Sequence, residues 1–450
     1  MYPDEQSVSA ALYGRALNSL PGGNSRTAVF REPYPIYMER GAGAWVWDVD
    51  GVRRLDAINN QSSLVHGHSH PKIVAAVAEQ STRFLSVAAP TLGEIELAEE
   101  LCRRVAGIER ISFCNSGSEG NLFAIRAARA FTGRDGVAKV EGAYHGNLDA
   151  VEISVFPRPD AWGAPSAPVS VPEGLGIPQA ALSDTLVLPF NDVEASRDLI
   201  NEHAARLACV VIDPAPPRMG FREASDAYLA MLRDVTLKHG IQLIFDEVYS
   251  FRQSHGGAQG RRGVIPDLTS LGKLIGGGLP IGATAGRADV MSVFDPRGGG
   301  SRAGHAGTFN ANPMSMAAGL AAMELLDQAA FARLDLLGAR ARDGLRALLS
   351  DLGIPGIVTG VGSLFSMIIG WDGPVRNVRD LTEAAASPLR DGRTPRALGI
   401  EFSRALLNHG VFGAAPSTFV LSTAMSAEDV DFLIAACGEA LRDLRPASLF

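Results

Sequence analysis

The sequence has only four cysteines among its 450 residues, Cys102, Cys114, Cys209 and Cys437. They lie far apart and form no CxxC pair, so neither a disulfide framework nor a structural zinc site is expected. No stretch approaches the roughly 20 uninterrupted apolar residues that cross a bilayer. The opening MYPDEQSVSA carries acids and no basic-then-apolar layout. No signal peptide is therefore expected, and a reduced cytoplasm is the expected compartment. Positive charge is not in excess: 41 basic against 49 acidic residues give −8 with histidines neutral. That balance argues against nucleic acid and acidic membranes as partners. A repeat of roughly 20–50 residues is also missing, which excludes a solenoid.

What is present is the mixture of a globular protein, 46% hydrophobic and 20% charged. The length allows one large or two to three ordinary domains. The 49 glycines and 26 prolines fall between apolar runs, which suits many short loops joining strands to helices. A short helical pattern covers Val8 to Leu20. Ala44 to Val49 and Arg53 to Ile58 flank Asp50-Gly51, a hairpin signature. Pro71 then opens a helix to about Leu85, at the first helical position where its missing N–H has no partner to lose.

From about residue 92 to 290 the pattern alternates. Helical periodicity covers 92–106, 117–131, 193–206 and 224–239. Apolar strands are expected at Ile111–Cys114, Val137–Val140, Ala208–Ile212, Gln242–Asp246, Ser270–Gly272 and Gly282–Gly286. Fully apolar strands alternating with amphipathic helices predict an α/β fold: a mostly parallel central sheet with helices on both faces. Pro157 to Pro178, rich in Pro, Gly, Ala and Ser, reads as an irregular insertion and a candidate lid. A long Ala- and Met-rich helix begins near Pro313. The remainder mixes helices with strands at Ser363–Ile369 and Val420–Thr423, the pattern of a smaller α+β domain. The expected division is an N-terminal segment (1–50), a large domain (51–315) and a small C-terminal domain (316–450).

Ligands bind at the carboxyl ends of strands in such sheets. Three places there carry polar residues. Asn115-Ser116-Gly117-Ser118-Glu119 follows one strand and opens a helix. Its small residues and free N–H groups suit a phosphate, though Ser116 and Glu119 equally fit a plain capping box. Asp246-Glu247 ends a second strand, where a buried carboxylate needs a positive partner such as a protonated ring nitrogen, or caps the next element. Lys273 closes a third, followed by Gly276-Gly277-Gly278. It is a candidate Schiff-base amine, with a pKa lowered by desolvation and neighbouring positive charge, or else a surface loop lysine. The glycines match neither the GxGxxG nor the Walker A spacing. Together the three offer what pyridoxal phosphate uses: a phosphate cradle, a carboxylate for its ring nitrogen and a lysine for its aldehyde.

The strings NSGSEGNLFAIRAARAFTGRD (115–135), EGAYHG (141–146), LIFDEV (243–248), PDLTSLGKLIGGGLPIGA (266–283) and GTFNANPMSMAAG (307–319) resemble the class III pyridoxal-phosphate-dependent aminotransferases. The resemblance is greatest to the branch holding glutamate-1-semialdehyde aminomutase and β-amino-acid aminotransferases, and runs from about Pro21 to about Leu326. It implies fold type I and a homodimer with active sites at the subunit interface. It implies that Lys273 holds the cofactor's aldehyde and Asp246 pairs with the ring nitrogen. Val248 and Tyr144 would pack on the two ring faces. Gly117 and Ser118 would bind the phosphate, with Thr308 contributing from the neighbouring subunit. Asn24-Ser25-Arg26 resembles the segment that reaches the substrate carboxylate, so Arg26, with Ser25 beside it, is the candidate anchor. An exposed loop arginine is the plainer alternative.

Departures from the branch are also legible. Asp213-Pro214 stands where Glu-Pro is usual, and Ala215 to Gly220 is atypical. The loop Tyr249-Ser250-Phe251-Arg252 is one residue short. The stretch Ala414 to Thr418 lacks the second carboxylate-binding arginine of some β-amino-acid enzymes; either Arg252 takes that part or the substrate lacks a second carboxylate. The segment Arg297 to His305 differs from the aminomutase gating stretch. His66-Gly67-His68-Ser69-His70 alternates like a metal strand but has no completing acid or cysteine, and resembles a family turn, so no metal is expected. His145, beside the cofactor motif, is a candidate to tune it. The expected function is amino transfer from an amine or amino acid, β-amino acids among the candidates, to a keto acid or aldehyde with ping-pong kinetics. The alternative is an aminomutase that moves the amine within one molecule. From another class, a nucleotide-binding or oxidoreductase protein shares the α/β layout.

Overall fold

The computed structural model describes residues 1–297, 299–413 and 417–444. The chain opens with a short helix, Val8–Ala16, capped by Ser7, whose hydroxyl accepts from the Ala10 amide. Strands β1 (Met38–Ala42), β2 (Trp45–Asp48) and β3 (Arg53–Asp56) form an antiparallel meander. The Asp50-Gly51 turn joins β2 to β3 as the sequence predicts, with Asp48 Oδ1 accepting from the Asp50 and Val52 amides. The Pro71 helix ends at Ser81, four residues early.

The large sheet has seven strands. In chain order they are β4 (Arg110–Cys114), β5 (Gly136–Val140), β8 (Thr185–Leu188), β9 (Leu207–Ile212), β10 (Gln242–Asp246), β11 (Leu268–Gly272) and β12 (Gly282–Gly286). Between β5 and β8 lies the predicted insertion, irregular except for a two-residue hairpin, β6 (Gly163–Ala164) with β7 (Ala167–Pro168). The order across the sheet is β4-β12-β11-β10-β9-β5-β8. β12 alone runs against its neighbours. β8 is the strand that periodicity missed, being only four residues long and at the sheet edge.

The apolar runs are explained by burial on both faces. Leu243 and Phe245 of β10 pack on one side against Ile200, Tyr228 and Leu232 of the helices Val193–His203 and Asp226–His239. Ile244, one residue out of phase, packs on the other side against Ala124 and Ala127 of the helix Gly117–Thr132. Side chains alternate across a strand, so a strand covered by helices on both faces must be apolar throughout. This is an α/β sheet covered by helices on both faces, as the sequence predicts.

The C-terminal part builds a second core. β13 (Gly356–Val361), β14 (Leu364–Ile369) and β16 (Thr418–Val420) form an antiparallel sheet. The remaining strand, β15 (Val411–Phe412), pairs in parallel with β3. Leu55 and Ala57 thereby join Phe365, Phe402, Phe419 and Leu433 in the C-terminal cluster. β16 ends at Val420, not Thr423, because Leu421 and Thr423 turn their amides to the carbonyls of Ser363 and Val65.

Candidate active site

Register brings the chemistry to one edge. Gly272 pairs with Gly282, and Gly282 with Cys114, so β11, β12 and β4 are level there. Asp246 pairs with Ser270, so β10 reaches the same edge. The residues that follow these strands face a common cavity of about 370 Å³.

After β4, Ser116 caps the helix Gly117–Thr132, its hydroxyl accepting from the Glu119 amide at 3.2 Å. Glu119 turns back to the Asn115 amide at 2.8 Å, so the predicted capping pair forms with its return bond shifted by one residue. Gly117 and Ser118 are left at the first two helical positions, whose N–H groups have no partner within the helix. Glycine is required at 117, since a Cβ there would lie 2.7 Å from Val248 Cγ2. Gly146, at φ +98°, closes over Ser118, and a Cβ on it would meet Ser118 Oγ at 2.3 Å.

Asp246 is buried behind this cradle. Its Oδ2 accepts from His145 Nδ1 at 2.7 Å and from Asn121 Nδ2 at 2.8 Å, and its Oδ1 from the Val248 amide at 3.0 Å. Burial raises its pKa, but these donors, led by His145, outweigh burial and hold it below the usual carboxylate range. His145 is itself pushed down by burial, against the pull of Asp246. A neutral His145 donating from Nδ1 leaves Nε2 as an acceptor, and Nε2 is buried without a partner among the described residues. A carboxylate has about four acceptor positions, so Oδ1 keeps one unused.

Lys273 follows β11 with φ +51°, a left-handed conformation that a lysine holds only when its surroundings impose it. Its Nζ stands 4.0 Å from the Tyr249 ring centroid. Burial lowers its pKa to about 8, opposed by Asp246 and Asp213. The low value therefore comes from desolvation; the neighbouring charges are negative, not the positive ones that the sequence analysis invoked. Asp213, at the end of β9, is pushed well above the carboxylate range by burial and then by Asp246.

Gly117, Ser118, Tyr144, Asp246, Val248, Lys273 and Arg26 all line the cavity. Tyr144 is fixed by its hydroxyl donating to Asn147 Oδ1 at 2.7 Å, and the exposed Arg26 by Nη1 donating to Asn60 Oδ1 at 2.9 Å. Ser25 and Thr308 are not part of the lining; both are exposed. Arg252 does not stand in for a second anchor. It is buried, with Nη1 and Nη2 donating to the backbone oxygens of Ser62 and Leu421. The stretch 414–416 lies outside the described residues. The three histidines take separate partners: His66 the Thr423 hydroxyl and Ala322 carbonyl, His68 the Asp56 carboxylate, while His70 Nδ1 has none among the described residues.

Sequence reasoning missed Asn60, Gln61 and Tyr249, which also line the cavity. Residues Asn59 to Ser62 run through four consecutive left-handed conformations, φ 50°, 47°, 55° and 80°. The Asn-Asn pair was a usable signal, since asparagine tolerates that region best after glycine. Gln61 Oε1 accepts from the Tyr249 hydroxyl at 2.9 Å. A larger hollow of about 640 Å³ lies beside Arg126, Arg129 and Asp184, away from this edge.

The residues fit pyridoxal phosphate. A cradle that a Cβ would fill suits an anion, a carboxylate with a free acceptor position suits a ring N–H, and a desolvated amine lines the same cavity. A family model described as aminotransferase class-III matches residues 27–411. The glutamate-1-semialdehyde 2,1-aminomutase of Methanothermobacter thermautotrophicus is 40% identical over 441 residues, 97% of this chain and 99% of its own. The crystal structure of an omega-transaminase from Sphaerobacter thermophilus superposes with a TM-score of 0.92 at 44% identity, covering 99% of both chains. That of a beta-phenylalanine aminotransferase from Variovorax paradoxus gives 0.84 at 35%, covering 97% and 94%.

Proposed function

The chain belongs to the class III aminotransferases, and we propose that it transfers the amino group of an amine or amino acid, β-amino acids included, to a keto acid or aldehyde in two half-reactions. It is a pyridoxal-phosphate-dependent transaminase. The observation that carries the reading is that Lys273 and Asp246 end the adjacent parallel strands β11 and β10 and line one cavity.

When bound, the cofactor supplies an aldehyde for the amine and a ring that takes up the electrons of the broken C–H bond. The rest falls to the protein. Gly117 and Ser118 hold the phosphate, joined by Thr308 of the neighbouring subunit in a homodimer. Asp246, fixed by His145 and Asn121, keeps its charge opposite the ring nitrogen. Val248 and Tyr144 confine the ring faces. Lys273 Nζ holds the aldehyde at rest. It then takes the proton from the substrate carbon that bears nitrogen and returns it as an acid, which a pKa of about 8 permits near neutrality. Arg26, with Ser25 beside it, takes a substrate carboxylate.

The dimer is supported by exposed apolar side chains around the Thr308 segment. Phe309 and Leu85 are 59% and 64% exposed, and Asn312 Nδ2 donates to the Leu85 carbonyl at 3.2 Å. No helix among the described residues is long and apolar enough to cross a membrane, and we assign the enzyme to the cytoplasm. We divide the chain into an N-terminal segment, 1–50, a cofactor domain, 51–315, and a small domain, 316–450, with β3, just past the first boundary, packing onto the C-terminal core. Supporting this, the seven-stranded sheet lies within 110–286.

A donor screen with β-amino acids, α-amino acids and simple amines tests the reading. The yellow holoenzyme is expected to bleach with its donors and to recover with a carbonyl acceptor. A protein that bleaches with none contradicts it. The 40%-identical relative named as an aminomutase favours a second reading. Glutamate-1-semialdehyde alone would then be converted rapidly with no second carbonyl. The differing Arg297 to His305 segment argues for the transaminase.

A further inference from the structure

One guanidinium beside the cavity has no acceptor. Arg218 stands in the turn Pro217–Met219, five residues past Asp213 and inside the atypical stretch Ala215 to Gly220. Its guanidinium carbon lies 4.9 Å from the Tyr144 ring centroid and 4.3 Å from that of Phe156. Among the described residues no hydrogen bond or ion pair to any of its five N–H donors is present, though the residue is half-buried. Two other half-buried arginines meet acids. Arg262 meets Glu223 and Asp226, and Arg233 meets Asp267. Leaving a charged donor set unpaired in a partly dry site is costly.

The nearby acids do not fill the gap. Burial lowers the pKa of Arg218, opposed through space first by Glu173, then by Tyr144, Tyr249 and Glu152. Glu173 Oε2, however, accepts from the Phe156 amide at 2.8 Å. The turn is held firmly. The Gly220 carbonyl accepts from Thr359 Oγ1 at 2.7 Å, and Phe221 packs on Tyr249 at 5.9 Å between centroids. Arg218 is thus fixed against Tyr144, which lines the cavity, and its charge is felt by Tyr249, which carries Lys273 on its ring.

We propose that Arg218 is a specificity-determining anion anchor that takes a carboxylate of the substrate at the cavity rim. A guanidinium presents a rigid fork that matches a carboxylate with two parallel hydrogen bonds, and its stacking between two rings presets that fork. The inference rests on the transaminase reading and sharpens it: the physiological donor or acceptor is an amino or oxo acid rather than a simple amine. Arg218 fills a role that the exposed Arg26 alone, or the buried Arg252, does not.

Two readouts on the holoenzyme separate this inference from its premise. Butyrate has no amine and cannot react, so calorimetry measures carboxylate binding alone. β-Aminobutyrate and isopropylamine differ by the carboxyl group, so the ratio of their kcat/KM values isolates its recognition. Arg218→Met is expected to weaken butyrate about 10- to 100-fold and to lower the ratio by a similar factor, with Arg218→Lys recovering part of each. Equal butyrate affinity in wild type and Arg218→Met overturns the proposal. So does a wild type that binds no butyrate, or an unchanged ratio. Should no amine bleach the wild type, the transaminase reading fails while the butyrate titration still decides Arg218.

Discussion

His145 Nδ1 and Asp246 Oδ2 stand 2.7 Å apart, and both side chains are buried. The histidine donates to the acid and is the largest of the contacts that hold Asp246 ionised against its own burial. If Asp246 faces the cofactor ring as proposed, Asp246→Asn removes that charge, and kcat for the amine half-reaction is expected to fall about a hundredfold or more. His145→Gln keeps the acid but loosens it. Asp246 is then expected to titrate at higher pH, moving the acid limb of the bleaching rate upward, with a loss of about tenfold at neutrality. Stopped-flow absorbance against pH measures both.

Lys273 gives a pH signature of its own. With the pKa lowered to about 8, the free amine predominates above that pH instead of above the ordinary lysine value of 10.5. Covalent uptake of cofactor by the apoenzyme is expected to accelerate with rising pH and to level off past a midpoint of about 8. Absorbance of the lysine-bound cofactor, followed after mixing at a series of pH values, checks this. A midpoint above 10 would mean that the lysine is solvated.

Gly146 makes the cradle testable without touching a charged group. Alanine there would carry φ +98° and a Cβ 2.3 Å from Ser118 Oγ. Strain of about 1–3 kcal/mol and a displaced hydroxyl should weaken cofactor affinity at least about tenfold. Equilibrium titration of the apoenzyme with cofactor reads the loss, and unchanged affinity would remove Ser118 from the phosphate site.

Arg379 and Glu141 form a buried two-pronged pair at 2.8 and 2.9 Å, and Arg379 also donates to the Trp162 and Gly163 carbonyls at 2.8 Å each. One side chain thus ties the helix Val378–Ala386 to the insertion 157–178. Arg379→Met leaves Glu141 buried and unpaired, a loss of about 3–5 kcal/mol. A lowered Tm and faster proteolysis within 157–178 are expected, and cleavage at the wild-type rate would show that the insertion is held elsewhere.

The central sheet was legible because burial on both faces writes itself into uninterrupted apolar runs. β9 and β10 were found to within a residue. Lys273, Asp246 and the Gly117-Ser118 turn were legible because each ends such a run. The two-residue β15 and the four-residue β8 carry too few residues for a period to show. The left-handed run at Asn59 to Ser62 is marked in the sequence only by its Asn-Asn pair, since Gln61 and Ser62 carry no side-chain preference for that region. Arg252 looked free in the sequence because its acceptors are the carbonyls of Ser62 and Leu421, 190 and 169 residues away.

The most direct test is where the cofactor is attached. Reduction of the yellow holoenzyme with borohydride, followed by peptide mass analysis, should place the pyridoxyl group on Lys273 Nζ, and Lys273→Ala should take no label and lose turnover. A label on any other lysine, or full turnover in Lys273→Ala, would contradict the account.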